Sequence, residues 1–302
     1  MKIAFMLALH NNPEQANVFI KQCLCCPGGE VFIHIDQKGL WIKNELIEDE
    51  RVHILPHSYS VSWGNYTQVE YVLYLMRYIK EFGDFDWYSI HSGNDLMVRP
   101  CNELLDFLKR TDKYAFLDCH RLPWKDWQYG GGLGRIALIW PDCMRKRLKP
   151  HSVLRYARAI YGRMYGAKLI RGRKLPQDII FYGKSAWYTL SSECVSDVLS
   201  YVDAHPDFLG LFEKSLCCDE IFFNTVVHLT AAQKGREVES HNNLRFVDFD
   251  MADRKNVGSP KTLTIDDVGK ISKSGAFFAR KVDKKVDQRI IERYSSVVSG
   301  ET

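Results

Sequence analysis

The chain has 302 residues, 46% of them hydrophobic and 26% charged. These proportions are those of a globular protein with a sizeable core, and they exclude a collagenous, low-complexity or disordered chain. The net charge of +4 is mild, and the positive excess falls in one segment that lacks carboxylates.

The N-terminal run "KIAFMLAL", residues 2–9, predicts a buried parallel strand, because it is continuously apolar and of strand length. A helix should follow, with Asn12 as its cap, Pro13 in its first position and Gln15 completing a capping box. The same start is too short for a signal peptide and lacks a small-residue cleavage site. We therefore assign it to the fold.

Strand and helix patterns alternate along the rest of the chain. Strands are predicted at residues 30–36, 51–55, 86–92, 114–118, 244–250 and 276–282, and helices at 68–82, from about 102, at 150–165 and at 219–232. The alternation predicts an α/β protein with a doubly wound, mostly parallel sheet and helical elaborations. No linker or repeat interrupts it, so we expect a single domain.

Cysteine usage and hydropathy predict a cytoplasmic protein. The nine cysteines are an odd number, and adjacent pairs such as Cys25 with Cys26 are poorly spaced for a disulfide framework. We expect reduced thiols. No apolar stretch approaches the roughly 20 residues that cross a bilayer, so we also expect no membrane anchor.

Two short motifs have a chemical and a plainer interpretation. The glycine run "GGGLG", residues 130–134, lacks the pattern of a phosphate-binding loop, and we favour a flexible active-site or surface loop. The stretch "DFD", residues 248–250, nearly meets the DxD metal motif of nucleotide-sugar transferases, but it ends a late predicted strand. We predict no metal site.

Nine sequence stretches, taken together in chain order, are more specific than these two short motifs. They are "LALHNNPEQ", "VFIHIDQK", "SWGNYTQVEYVL", "SIHSGNDL", "GKSAWYTLS", "CDEIFFNTVV", "LRFVDFD", "GSPKTLTIDD" and "FFARKVD". This order resembles the core-2/I-branching β-1,6-N-acetylglucosaminyltransferase family, glycosyltransferase family 14, which includes peptide O-xylosyltransferases. The resemblance implies a GT-A-like fold, with residues 1–120 as a nucleotide-binding half and residues 121–302 as an acceptor and catalytic half. It also implies a UDP-sugar donor, an inverting reaction and no required metal ion.

The resemblance assigns the catalytic base to Glu220. Inverting transfer needs one base to take the proton of the acceptor hydroxyl, and cationic groups to hold the charge that grows on the diphosphate. Glu220 matches the base of a block usually written PDE, in which Cys218 replaces the proline. From the residues alone, Asp219 and Glu220 are better explained as a helix cap, because the helix dipole favours carboxylates in a first turn.

Two lysines match the basic residues that contact the diphosphate in the family. These are Lys261 and Lys281, and fixed ammonium groups there could replace a divalent cation. Arg280 precedes Lys281, but strand alternation predicts that it points to the other face.

Further matches concern the uridine of the donor. Asp36, at a predicted strand end where α/β sheets bind ligands, could accept hydrogen bonds from uracil or ribose. His10 and Asn11 would lie beside the uridine. Trp63 matches a family tryptophan, and a core aromatic is the alternative.

The acceptor matches are Asp95, in the block "SGNDL", and Ser185 with Trp187, in the block "GKSAWYTLS". Xylosyl members tend to have an acid between the serine and the tryptophan. Ala186 lies there, which favours UDP-GlcNAc as the donor.

Residues 145–174 contain eleven lysines and arginines and no Asp or Glu. On the predicted helix 150–165, six apolar or aromatic residues share one face: Val153, Tyr156, Ala157, Ile160, Tyr161 and Met164. We interpret this as a core-facing helix with a solvated basic flank. The alternative is a patch that binds an anionic membrane surface.

The sequence therefore predicts an inverting, metal-independent glycosyltransferase that moves GlcNAc from a UDP-sugar to a hydroxyl of a glycan acceptor. Surface polysaccharide or glycolipid assembly is the expected setting, with a lipid-linked acceptor. UDP-xylose and UDP-galactofuranose are alternative donors. A non-catalytic sugar- or RNA-binding protein is the alternative from another class, but the tyrosines of the basic segment have helical spacing, so we expect no nucleic-acid partner.

Overall fold

A computed structural model describes residues 1–249 and 259–299 of the chain. The strands are β1 (Ile3–Leu9), β2 (Gly29–Ile35), β3 (Val52–Ile54), β4 (Trp87–Ser92), β5 (Asp95–Met97), β6 (Ala115–Phe116), β7 (Cys119–Arg121), β8 (Tyr182–Lys184), β9 (Thr189–Ser191), β10 (Val238–Glu239), β11 (Arg245–Val247) and β12 (Phe278–Arg280). The helices are α1 (Pro13–Leu24), α2 (Thr67–Phe82), α3 (Cys101–Arg110), α4 (Gln128–Gly131), α5 (Gly134–Ala137), α6 (Val153–Gly166), α7 (Ser192–Ala204), α8 (Pro206–Gly210), α9 (Asp219–Lys234), α10 (Val268–Ser274) and α11 (Gln288–Ser299).

The chain forms two compact units, each assembled from separate segments. The first unit contains Met1–Ser58, Ile79–Asp112 and Asn242–Thr302, and the second contains Tyr59–Tyr78 and Lys113–His241. The predicted halves are contiguous in sequence, whereas the chain returns to the first unit at Asn242. The prediction of a single domain stays a prediction.

Parallel strands form the main sheet of the first unit, in the order β4, β1, β2, β3. Ile3 of β1 lies opposite Gly29 of β2 and Trp87 of β4. Strand β1 is buried almost throughout, as its continuous apolar run predicts, because it has a strand on both sides. The predicted α/β class with a mostly parallel sheet is confirmed.

A smaller sheet of the first unit has the order β11, β12, β5. Strand β12 is parallel to β11 and antiparallel to β5, and this register places Arg280 opposite Asp95. In the second unit, β6 pairs with β10 in parallel and with β9 antiparallel, and β7 pairs with β8 antiparallel.

Two predictions about the start of the chain are wrong. Helix α1 begins at Pro13, but Asn12 is left-handed, with φ of 54°, and its side chain makes no cap hydrogen bond. Gln15 is fully buried and completes no capping box, because neither polar atom of its side chain has a hydrogen-bond partner among the described residues. The prediction that all thiols are reduced also fails, because Cys26 and Cys101 form a disulfide. Their separation of 75 residues hides this pair from any reading of local spacing.

Helix α6 corrects the predicted core face of the basic segment. Its buried position is Gly162, where an added Cβ would lie 2.0 Å from the Tyr129 ring. Because the closest contact needs a position without a side chain, the helix turns Gly162 inwards. Val153, Tyr156 and Ile160, which were expected in the core, are exposed. Within the described part of the chain, no helix is both long and apolar enough to cross a membrane.

Candidate functional site

The first turn of α9 lies at the centre of the candidate site in the second unit. The helix continues into a buried apolar run, which includes Phe222 and Phe223, and it ends at Gly235 in a left-handed conformation. Cys218, at the cap position, makes no side-chain hydrogen bond. The helix is therefore held by its buried run, and its first two carboxylates are available for other contacts.

Glu220 forms an ion pair with Arg135 of α5. The Nη1 group of Arg135 donates to Glu220 Oε2, and the two side chains are 15% and 31% exposed. The guanidinium also lies over the Trp127 indole, 4.0 Å from its centroid, which fixes its plane. Burial alone would lower the pKa of Arg135, but the charge of Glu220 outweighs it and the pKa is raised. Glu220 is thus a positioned carboxylate rather than a helix cap.

The carboxylate of Asp219, next to Glu220, is only partly hydrogen-bonded. Gln68 Nε2 donates to Asp219 Oδ2 at 3.1 Å, but the buried Oδ1 has no hydrogen-bond partner among the described residues. Desolvation, and then the charge of Glu220, raise the pKa of Asp219 to about 7, although backbone N–H groups of the first turn and Arg135 oppose the shift. The two adjacent carboxylates therefore differ in their surroundings, because Glu220 has the Arg135 cation as a partner and Asp219 has the Gln68 amide.

Gln68 also connects this helix start to the loop that carries Trp63. Its Oε1 accepts from the Gly64 N–H at 2.5 Å, and the Gly64 carbonyl accepts from the Cys217 N–H at 3.0 Å. Trp63 is 45% exposed, and the Arg158 guanidinium lies 5.6 Å from its ring centroid. The alternative that Trp63 is a core aromatic is wrong.

Asn224 joins the predicted acceptor block to the turn of Glu220. Its Nδ2 donates to the carbonyls of Ser185 and Glu220, both at 2.8 Å. The Ser185 N–H donates to the Asp118 carbonyl, and the Ser185 hydroxyl accepts from the Trp187 N–H at 3.2 Å. The chain therefore fixes Ser185 and Trp187 relative to α9 through one buried amide.

The first residue of this block, Gly183, has to be a glycine. An added Cβ at Gly183 would lie 2.9 Å from the Trp127 ring and 3.0 Å from the Glu220 carbonyl oxygen. Both distances are too short for an alanine without movement of the neighbours. Strand β8 thus passes directly over the helix start that carries Glu220.

In the first unit, the predicted uridine residues lie at the ends of β1 and β2. Asp36 caps the 3-10 helix Gln37–Glu45, where it accepts from the Lys38 N–H at 3.2 Å and pairs with the Lys38 ammonium at 2.9 Å. His10 and Asn11 are exposed. Desolvation, and then the nearby Lys38, lower the pKa of His10, with Lys281 adding to the shift and Asp36 opposing it. The strand ends therefore bring His10, Asp36 and Lys281 together.

The two predicted diphosphate lysines lie on adjacent segments of the first unit. The Leu263 N–H donates to the Lys281 carbonyl at 2.8 Å, which places the segment after Lys261 beside the end of β12. Lys261 Nζ contacts Asp267 Oδ1 at 2.7 Å. Burial would raise the pKa of Asp267, but the hydrogen bond from Lys261 lowers it. Lys261 is thus held by a buried carboxylate, and its contact with a diphosphate stays a prediction.

Asp95 is fully buried in the first unit. It accepts from His91 Nδ1 at 3.0 Å and Ser92 Oγ at 2.9 Å, and Arg280 lies 3.5 Å away. Desolvation lowers the pKa of His91 to about 3, so its imidazole is neutral. Burial would raise the pKa of Asp95, but Arg280 and His91 lower it. Arg280 thus points towards the buried Asp95. The direction of Lys281 relative to Arg280 and the acceptor role of Asp95 stay predictions.

The metal motif falls partly outside the described residues. Asp248 pairs with Lys270 at 3.2 Å, and Asp250 lies in the part that is not described. Among residues 1–249 and 259–299, no three His, Cys, Asp or Glu side chains are grouped as metal ligands would be. The glycine run forms the junction of α4 and α5, with Gly130, Gly131 and Gly132 at positive φ, and it leads directly to Arg135.

Sequence reasoning missed three residues that hold the α9 site together: Arg135, Gln68 and Asn224. Asn224 carried a signal, because it lies four residues after Glu220 inside an apolar run where an amide needs a buried partner. Arg135 and Gln68 carried no such signal in the sequence, because their partners Glu220 and Asp219 are 85 and 151 residues away.

The fold and the positioned carboxylate define an α/β protein with a site suited to general-base chemistry. A family model described as Core-2/I-Branching enzyme matches residues 3–272. The chain therefore belongs to the Core-2/I-Branching enzyme family, as its nine sequence blocks predicted.

One curated relative is xylosyltransferase 1 of Mus musculus. It is 22% identical over 319 residues, which cover 99% of this chain and 31% of that protein. The chain therefore spans less than a third of this relative. Among solved structures, CMP:2-keto-3-deoxy-manno-octonic acid synthetase complexed with CTP gives a TM-score of 0.34 at 11% identity, covering 80% of this chain and 89% of that one.

Proposed function

We propose that the chain is an inverting glycosyltransferase that moves GlcNAc from UDP-GlcNAc to a hydroxyl group of a glycan acceptor. The observation that carries the proposal is the Glu220 carboxylate, which is partly exposed at the start of α9. Arg135 holds its Oε2, while Oε1 has no hydrogen-bond donor among the described residues. A base needs this combination of a fixed position and an accessible oxygen.

In the proposed reaction, Glu220 Oε1 takes the proton of the acceptor hydroxyl. The acceptor oxygen forms a bond to the anomeric carbon from the face opposite to UDP, and the bond from that carbon to the diphosphate oxygen breaks. UDP leaves with the electron pair, and its negative charge needs cationic groups in place of a metal ion, the role that the sequence resemblance assigns to Lys261 and Lys281. Arg135 acts as a positioning residue, because it orients the base without contacting the reacting atoms.

The donor proposal has two candidates. Ala186, between Ser185 and Trp187, favours GlcNAc, because xylosyl members tend to have an acid there. UDP-xylose is the second candidate, supported by the similarity to a protein named xylosyltransferase 1. We propose a lipid-linked glycan as the acceptor, in surface polysaccharide or glycolipid assembly, which suits the exposed basic and apolar surface of α6.

A screen of UDP-sugars by thermal shift and by donor hydrolysis, with EDTA present, tests the donor and the metal independence together. We expect UDP-GlcNAc to raise the melting temperature and to be hydrolysed slowly, with UDP-xylose weaker on both readouts. A stronger response to UDP-xylose would assign the second candidate. If no UDP-sugar changes the melting temperature, the proposed function is wrong.

A further inference from the structure

Helix α6 exposes an apolar stripe along one face. Val153, Tyr156 and Ile160 are 82%, 56% and 56% exposed, and they lie at helical spacings of three and four residues. Leu169, just beyond the helix, is 73% exposed. The helix has 14 residues, so at about 1.5 Å per residue the stripe follows an element roughly 21 Å long. A grouped apolar stripe of this kind differs from single exposed side chains and indicates an interaction surface.

The eleven basic residues of this segment fall into sets with different roles. Three of them hold the unit together: Arg145 contacts the Glu213 carbonyl and Asp142, Arg158 donates to the Met144 and Lys146 carbonyls, and Arg173 donates to the Ile136 and Leu211 carbonyls. Arg155 is half-buried. Seven others are exposed: Lys146, Arg147, Lys149, Arg163, Lys168, Arg171 and Lys174.

Residues 143–177 contain no carboxylate side chain that would neutralise these seven cations. The acids that flank the segment are Asp142, which pairs with Arg145, and Asp178. The segment therefore presents an apolar stripe and exposed positive charge on one short stretch of chain. We call the four exposed apolar residues and the seven exposed cations the α6 surface.

We propose that the α6 surface docks onto an anionic lipid bilayer. The stripe would enter the boundary between headgroups and acyl chains, while the cations remain at the level of the anionic headgroups. Apolar insertion alone or charge attraction alone gives weak, reversible binding, whereas the two together give stable attachment to the membrane surface. This inference does not depend on the proposed sugar transfer.

Two other occupants fit the α6 surface less well. A nucleic acid would be attracted by the cations, but its phosphodiester backbone offers no apolar partner for Val153 or Ile160. A second copy of the chain could cover the stripe, but it would bring seven further like charges against the first seven. Of these three occupants, only the anionic lipid supplies both an apolar phase and negative charge.

Vesicle flotation of the full chain, without any UDP-sugar, tests the proposal. We expect it to float with vesicles of phosphatidylcholine mixed with phosphatidylglycerol, and to stay unbound with phosphatidylcholine alone. Binding should weaken as salt is raised, because surface charges are screened. No flotation with the anionic vesicles at low salt would overturn the proposal.

Variants with matched controls separate the apolar contribution to membrane binding from the electrostatic contribution. The double variant Val153→Asp with Ile160→Asp should abolish flotation, whereas Val286→Asp, at a position that is 57% exposed, should leave it unchanged. Arg163→Ala with Lys168→Ala should weaken binding roughly tenfold or more, since each cation near an anionic surface contributes to affinity. The matched pair Lys21→Ala with Lys273→Ala, also exposed, should have no such effect.

Three further results would contradict the proposal. The first is flotation by the double Asp variant at the wild-type level. The second is binding of single-stranded RNA that removes the chain from vesicles and is unaffected by the double Asp variant. The third is a dimer in sedimentation velocity that the same variant dissociates. Turnover of a water-soluble glycan acceptor should be unchanged in the double Asp variant, which separates this test from that of the catalytic proposal.

Discussion

Two carboxylates, Asp95 in the first unit and the partly buried Asp219 in the second, have opposite electrostatic surroundings. Asp95 in the first unit accepts hydrogen bonds from His91 and Ser92 and lies beside Arg280, and its pKa is lowered. Asp219 in the second unit has one amide donor and a carboxylate neighbour, and its pKa is raised to about 7. The first carboxylate stabilises the fold, whereas the second weakens it when it is ionised.

This difference helps to separate structural acids from functional ones. Both residues match or adjoin family blocks, so the sequence alone gives them similar weight. The Asp95 carboxylate is fully buried and accepts one hydrogen bond on each oxygen, whereas the start of α9 retains a partly exposed carboxylate on Glu220. Carboxylates whose surroundings shift the pKa upwards, as those of Asp219 do, are typical of functional sites.

Asp95→Asn should cause the largest loss of stability. The change leaves Arg280 without its ionic partner in a buried position, and breaking a buried pair costs about 3 kcal/mol or more in free energy of unfolding. Urea unfolding at neutral pH measures it. Asp84→Asn, at an exposed site, is the control and should be neutral. A loss below about 1 kcal/mol would show that the buried pair is not a stabilising contact.

Asn224→Ala should cost about 2 kcal/mol, because the carbonyls of Ser185 and Glu220 lose a buried donor. Transfer activity should fall as well, since the acceptor block is no longer fixed to the base. Gln233→Ala, on the exposed face of the same helix, is the matched control and should leave both unchanged. An unchanged rate in the Asn224 variant would remove Asn224 from the site.

The fold could be predicted well because its signals are local. A continuous apolar run such as residues 2–9 specifies a buried strand whatever surrounds it. The site could be predicted only in part, because Arg135 reaches Glu220 through tertiary contact and leaves no trace in spacing. The predicted buried face of helix α6 was wrong for a related reason. Its sequence pattern is amphipathic, but the packing of Gly162 against Tyr129 decides which face is buried.

Acid should destabilise the protein below about pH 6.5. His91 and His34 have pKa values lowered to about 3 and about 4, so between those values and about 6.5 the unfolded state binds more protons. Stability therefore falls as pH falls through this window. Asp219 acts in the opposite direction between about pH 4 and 7, because its folded state holds the extra proton.

Unfolding free energies across this range of pH, by urea titration, should therefore decrease on acidification, and more steeply in Asp219→Asn, which lacks the opposing contribution. Each proton of difference contributes about 1.4 kcal/mol per pH unit. A shallower slope in the variant would reverse the sign assigned to Asp219.

An effect of opposite sign to that of Asp95→Asn is expected for the stability of Asp219→Asn at pH 8. Wild-type Asp219 is largely ionised there beside Glu220, so the variant should be more stable by up to about 4 kcal/mol. Below about pH 4 the two proteins should be nearly equal, because the wild-type carboxyl is then protonated in both the folded and the unfolded state. A clear loss of stability at pH 8 would mean that the Asp219 charge is stabilising, like that of Asp95.

Replacement of Glu220 by Gln tests the catalytic account most directly. The variant keeps the shape of the side chain and removes the base, and Glu213→Gln, at an exposed acid seven residues earlier, is its control. With the donor selected by the UDP-sugar screen, we expect Glu220→Gln to lose transfer by roughly a hundredfold or more while its thermal shift with UDP is retained. Transfer at the wild-type rate in Glu220→Gln would contradict the assignment of Glu220 as the base.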